Sequence, residues 1–187
     1  MNGGEKMDNC NNCNKRSCLC GNQIGPFRAV ELCEFPSGTL VNPPTTCSGL
    51  CEYGYIYNLA AETVAVEADI IFSSTGIVTS GITHVPSTSQ IIVTTPGIYE
   101  VTFIVSGVEP NQFTLFLNGN PVTQAVYGSG AGTQQNTGQV IISIPAGGIL
   151  TLRNHSSAAA VILQTLAGGT QINVNASIIL KMLSPIV

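Results

Sequence analysis

Seven cysteines fall within the first 51 residues of a 187-residue chain, and the remaining 136 residues carry none. Four of them crowd into eleven residues as Cys10-x-x-Cys13 and Cys18-x-Cys20. Cys33 stands alone, and Cys47-x-x-x-Cys51 ends the group. Thiolates at this density suit three kinds of chemistry. Cys10, Cys13, Cys18 and Cys20 could form a tetrathiolate zinc site, although only four residues separate the two pairs, fewer than zinc ribbons use. Disulfide exchange calls for a C-x-x-C that opens a helix after a strand, and the polar sequence MDNCNNCNKRSCLCG offers neither. Disulfide cross-linking remains. An odd number of thiols leaves one over from any purely internal set, which points to pairing between chains. Cys10, Cys13, Cys18, Cys20, Cys33, Cys47 and Cys51 are therefore the candidates for inter-subunit cross-links, with no cofactor or resident metal expected.

The segments that must position these thiols separate by composition. Residues 1–21 are polar and aperiodic and cannot bury enough apolar surface to fold alone. Residues 22–52 hold the last three cysteines and four prolines, Pro26, Pro36, Pro43 and Pro44. Within them PFRAVELCEFP can form one short strand, confined to a sheet edge by the prolines at its ends. Its apolar side chains Phe27, Val30, Leu32 and Phe35 are the candidates for docking the segment on a neighbour, as a strand added to an exposed sheet edge. The reading is a connector arm, residues 1–52, in front of a folded module, residues 53–187.

The module reads as all-β. Ten short runs, among them YGYIYNLA, TVAVEADIIF, QIIVTT, GIYEVTFIVSG, QFTLFLNG, PVTQAVYG, GQVIISIPAG, GILTLRNH, AVILQTLAG and INVNASIILKML, alternate with Gly, Pro, Asn and Ser turns. Strands spaced by about 8–12 residues signal a sandwich or barrel, and no segment shows a helical period with caps. Asn118-Gly119 predicts a tight hairpin. In GILTLRNH, alternation sets Leu150, Leu152 and Asn154 opposite Ile149, Thr151 and Arg153. Tyr99, Phe103, Phe113 and Phe116 are expected to be packing residues, and GSGAGTQQNTG a loop.

Charge narrows the function. Charged residues make up 9% of the chain, against about 25% in typical soluble domains. A surface this short of charge favours association. The net charge of −4 and the lack of any basic stripe argue against nucleic acid. No apolar run approaches the roughly 18 residues that cross a bilayer as a helix. The polar N-terminus predicts no secretory signal, so the chain is expected to be made in a cytoplasm, in tension with its cysteines, which suit an oxidising setting. A product that is later exposed to air resolves the tension. Enzymatic chemistry finds little support: the two histidines, His84 and His155, sit in no nucleophile, zinc-protease or phosphate-loop motif. Asn154-His155-Ser156 reads as a strand-end loop, and Glu62, Glu67 and Asp69 as solvated acids.

TTPGIYEVTFIVSG, with Pro96, Gly97 and Tyr99, resembles the turn and central strand of the tumour-necrosis-factor and complement-type globular heads. FLNGNPVTQAVYGSG, VIISIPAGGILTLRNHSSAAAVIL and the closing INVNASIILKML are more similar to the C-terminal domain of BclA-like collagenous glycoproteins of Bacillus spores. The resemblance spans about residues 53–183. It implies a jelly roll of about ten strands forming a homotrimer. Those relatives carry a Gly-x-y stalk; here the cysteine-rich arm stands in its place. The resemblance therefore implies a self-assembling structural subunit of the spore surface, an appendage fibre or an exosporium layer, made in the mother cell. In it, homotrimers stack into filaments and touch other spore-surface proteins. The alternatives are a trimeric binding or adhesion head, with specificity in the loops around Gly128 to Gly138 and the arm as its anchor, or a zinc-binding arm.

Overall fold

A computed structural model describes residues 49–132 and 134–186, within a compact unit that runs Ser48–Val187. Twelve strands make up its regular structure: β1 (Tyr53–Asn58), β2 (Thr63–Val64), β3 (Ser74–Val78), β4 (Ile82–His84), β5 (Ile91–Val93), β6 (Gly97–Val105), β7 (Asn111–Leu117), β8 (Asn120–Ser129), β9 (Asn136–Ile144), β10 (Gly148–Asn154), β11 (Val161–Ile162) and β12 (Ala176–Pro185). They form two five-stranded antiparallel sheets. Sheet I runs β3-β1-β12-β6-β9 and sheet II runs β4-β5-β10-β7-β8, while β11 and β2 form a small separate ladder.

Period-two alternation decides what lies between the sheets. In β6, Tyr99, Val101, Phe103 and Val105 are fully buried, and so are Ile178 and Leu180 of β12 and Ile56 of β1. Sheet II answers with Ile82, Ile91, Val93, Phe113, Leu115, Leu150 and Leu152. Asn154 follows the parity of Leu150 and Leu152 into the interior, where its Nδ2 donates to the carbonyl of Val64 at 2.9 Å. A second buried amide pair, Asn58 and Asn175, hydrogen-bonds at 3.0 Å and ties the end of β1 to the approach to β12. Such amides stay buried because each donor finds an oxygen.

Several expectations change. TVAVEADIIF is not one strand: only Thr63–Val64 pairs as β2. Glu67 adopts a left-handed φ of 64°, and its carboxylate accepts from His155 Nδ1 at 2.8 Å and Ser156 N at 3.1 Å, which turns the chain. AVILQTLAG likewise contributes only Val161–Ile162. The Ser-, Thr- and Gly-rich stretch before Gln90, left unassigned by the sequence, supplies the short edge strands β3 and β4. GSGAGTQQNTG is partly strand, since Gly128 and Ser129 end β8 and Asn136 to Gly138 begin β9. The Asn118-Gly119 hairpin forms as expected between β7 and β8, with φ of 52° and 78°. Tyr99, Phe103 and Phe113 pack in the core, whereas Phe116 is buried on the outer side of sheet II. There the Arg153 guanidinium carbon lies 4.0 Å from its ring centroid, and the His155 ring meets it edge-on at 5.3 Å.

Gly138 is required by packing. A Cβ there would fall inside the Phe103 ring edge and stand 2.7 Å from Tyr127 Cδ2, where Phe103 and Tyr127 form a T-shaped pair at 5.8 Å. Gly138→Val should therefore overpack this corner and cost about 1–3 kcal/mol. Urea unfolding followed by tyrosine fluorescence checks this; an unchanged midpoint would contradict the packing account.

Candidate assembly surface

The outward residues of sheet I form three cross-strand rows, read from the register of β1, β12, β6 and β9. They are Tyr53–Lys181–Glu100–Ile141, Tyr55–Ile179–Thr102–Gln139 and Tyr57–Ser177–Ile104–Thr137. Tyr55 and Tyr57 stack at 5.1 Å and 16°. Gly76 makes room for Tyr55 at the sheet edge, because a Cβ there would stand 2.9 Å from Tyr55 Cδ1. Tyr53 is 40% exposed, Ile179 37%, Leu183 48% and Ile141 61%. The two charges on these rows neutralise each other: Lys181 Nζ lies 3.6 Å from Glu100, whose other oxygen accepts from Gln139 Nε2 at 2.7 Å. The face is thus aromatic and β-branched, with one internally satisfied ion pair.

Glu52 anchors the chain where it enters this sheet. Its carboxylate accepts from the Thr79 hydroxyl and from Gly81 N at 2.9 Å, with Thr95 Oγ1 at 3.4 Å. Its carbonyl accepts from Met182 N at 2.8 Å. Burial, helped by the nearby Glu52 charge, pushes the Tyr99 phenol up to about 12, and its hydroxyl donates to Thr95 O at 2.7 Å. Cys51, the one cysteine among the described residues, packs against the core and is disulfide-bonded. Cys10, Cys13, Cys18, Cys20, Cys33 and Cys47, the docking candidates Phe27, Val30, Leu32 and Phe35, and with them the zinc alternative, lie outside the described residues.

The residues capable of acid–base or metal chemistry are dispersed. His155 is committed to Glu67, and Ser157 exchanges hydrogen bonds with the Gln112 backbone at 2.8 and 3.3 Å. The backbone N of Ser156 also turns to Glu67, at 3.1 Å. The hydrogen bond from His155 holds the Glu67 carboxyl below its usual range. Asp69 engages Arg153 Nε at 2.7 Å and raises the guanidinium further. Glu62 accepts from Ile71 N at 3.1 Å, and burial raises its carboxyl. The three acids thus serve separate sets of donors, and among the described residues no group of three metal-ligating side chains converges. His84 is a packing histidine: Nδ1 lies 2.6 Å from Thr75 Oγ1, Nε2 lies 3.1 Å from Thr88 O, and the ring meets Phe72 edge-on.

No protein-family model matches this chain, and no curated protein does. Solved structures do. The globular domain of zebrafish complement 1qA is similar over 72% of this chain and 98% of its own, with a TM-score of 0.55 and 10% identity. The fold is the TNF/C1q jelly roll. Eiger TNF from S. frugiperda, similar over 72% of this chain and 94% of its own, has a TM-score of 0.55 and 12% identity. At such identities the likeness is one of fold, and none of the side chains on the jelly roll's outer face is read from it.

The tyrosines of that face were not singled out by sequence. The signal that could have found them is YGYIYN, where Tyr53, Tyr55 and Tyr57 share one parity and Ile56 and Asn58 the other.

Burial lowers the His84 pKa below 6.5. A histidine depressed in the folded state contributes stability that is present above about pH 6.5 and lost as pH falls below it. The denaturation midpoint should therefore drop between about pH 7.5 and pH 5.5, and His84→Gln should flatten that slope. An unaltered slope in the variant would contradict the assignment.

Proposed function

We propose that this chain is a structural subunit that assembles in two stages: three jelly rolls associate through the outer face of sheet I, and their N-terminal arms then join trimers into a spore-surface fibre or layer. The observation that carries the first stage is the face itself, which exposes Tyr53, Ile141, Ile179 and Leu183 around one self-neutralised ion pair. Five strands spaced by about 4.8 Å, with β6 nine residues long, give a patch of roughly 20 by 30 Å. That is close in scale to the roughly 800 Å² per partner of a specific interface. The fold supports a trimer as the closed form.

The second stage is supported by composition. Three arms on one trimer act together through effective concentration, and inter-subunit disulfides from the arm would make their contacts permanent. An axial head-to-tail contact does not close and so propagates. Placement on a Bacillus spore rests on the resemblance of FLNGNPVTQAVYGSG and the strands after it to BclA-like domains. On this reading the protein has no catalytic role.

The competing reading is a trimeric binding head that its arm merely anchors. It is favoured by the uncharged loop at residues 130–135, which joins β8 to β9, and a partner pull-down that depends on this loop would support it.

Two measurements test the proposal. Ile179→Asp places carboxylates on the face without touching the core, so sedimentation velocity should show monomers with wild-type circular dichroism; persistent trimers would refute the face. Ile141→Asp repeats the test on β9. Removing residues 1–46 should leave discrete trimers under reducing conditions, which silence the remaining Cys47 and Cys51, and continued polymerisation of that protein would end the connector idea.

A further inference from the structure

The jelly roll has two distinct poles. At the base lie the chain entry at Glu52, the turn at Thr79 and Gly81, Thr95, and the end of β12, all joined through Glu52. The opposite pole, the apex, gathers the loops that follow β1, β6, β8 and β10 and the long segment between β11 and β12. Val108 N donates to Ile162 O at 3.0 Å, and Gly107 bridges Leu163, so the β6–β7 loop and the segment after β11 form one surface. Beyond it the loop is stapled by Asn173. Its Oδ1 accepts from Ala167 N at 2.8 Å, its Nδ2 donates to Gln164 O at 3.0 Å, and its backbone N donates to Thr165 O at 3.2 Å.

That stapled loop holds apolar side chains outward. Ile172 is 66% exposed and Leu166 56%, and Val108 and Ile162, joined by their backbone hydrogen bond at the same pole, are also exposed. The nearby Glu109 carboxylate is engaged locally, accepting from Ile162 N at 2.8 Å. The exposed side chains of this rim offer a partner apolar contact.

We infer that the apex rim of Val108, Ile162, Leu166 and Ile172 receives the segment Phe27 to Phe35 from another copy of the chain. The inference rests on the proposed role of the arm as a connector, and it names the surface the arm reaches. The occupant is argued from where the chain outside the structure attaches. All 48 residues before Gly49 join at the base, and they include the apolar set Phe27, Val30, Leu32 and Phe35. Stacking copies base to apex brings the root of one arm to the rim of the next head, a contact that repeats without closing. The 14 residues from Pro36 to Gly49 span up to about 50 Å when extended, so the arm has ample reach.

The test is photo-cross-linking in the full-length chain with p-benzoylphenylalanine replacing Ile172, and in a second variant replacing Leu166; both positions are exposed and leave the core intact. Chains made with light and heavy isotopes are mixed before assembly, irradiated and mapped by mass spectrometry. The expected result is cross-links from the rim to residues 27–35, with about half of them light–heavy pairs, as random mixing of copies requires. Cross-links confined to a single chain, cross-links only to jelly-roll residues, or none at all would overturn the inference. Sedimentation of the same samples separates the two failures. Species larger than a trimer without arm-to-rim cross-links leave the connector role standing and remove the apex from it. Trimers alone end both.

Discussion

The last of the described strands lies between the first and the sixth. β12 hydrogen-bonds to β1 along one edge, from Tyr53–Lys181 to Asn58–Ala176, and to β6 along the other, from Ala176–Val105 to Pro185–Gly97. Neither the core nor the outer face of sheet I exists until β12 is in place. Its inward residues Ile178 and Leu180 complete the interior, and its outward residues Ile179 and Lys181 bridge the tyrosines of β1 to the row on β6 and β9. Pairing across nearly the whole length of the jelly roll makes this a fold of high contact order, with loop closure preceding the reward. The same placement fixes direction: antiparallel pairing of β1 and β12 puts the entry and the exit of the jelly roll at one pole and leaves the other to loops.

Glu52 converts that topology into a mechanical attachment. A carboxylate that accepts from Thr79, Gly81 and Thr95 holds the chain just before β1 to the base. Charge-assisted hydrogen bonds of this kind are stronger than neutral ones. A connector that transmits load between assembled subunits needs such a root. The low charge of the module fits the proposed assembly, since little charge favours association.

Much of the fold was legible because sandwich strands alternate cleanly. β6 reads inward and outward residue by residue in GIYEVTFIV, and Asn118-Gly119 marks its hairpin by its backbone preference alone. What stayed hidden depends on distant partners. Nothing in TVAVEADIIF shows that Glu67 will meet His155, 88 residues away, and turn left-handed. β3 (STGIV) and β4 (ITH) are only five and three residues long and are held at sheet edges by neighbours rather than announced by a long alternating run. The proposed assembly face was legible only in part: the scarcity of charge pointed towards association, but which parity of YGYIYN and ASIILKML faces outward follows from the second sheet, which covers the other side. The loop tips Leu166 and Ile172 carry no period at all, and their exposure is set by the Asn173 staple.

In the proposed assembly, arms join jelly-roll trimers into a polymer. The most direct test is electron microscopy of the purified full-length protein under non-reducing conditions. The account predicts filaments or arrays of stacked globular units with three-fold symmetry. Isolated single-chain particles would contradict it at its first stage, and discrete trimers that never stack would contradict it at its second.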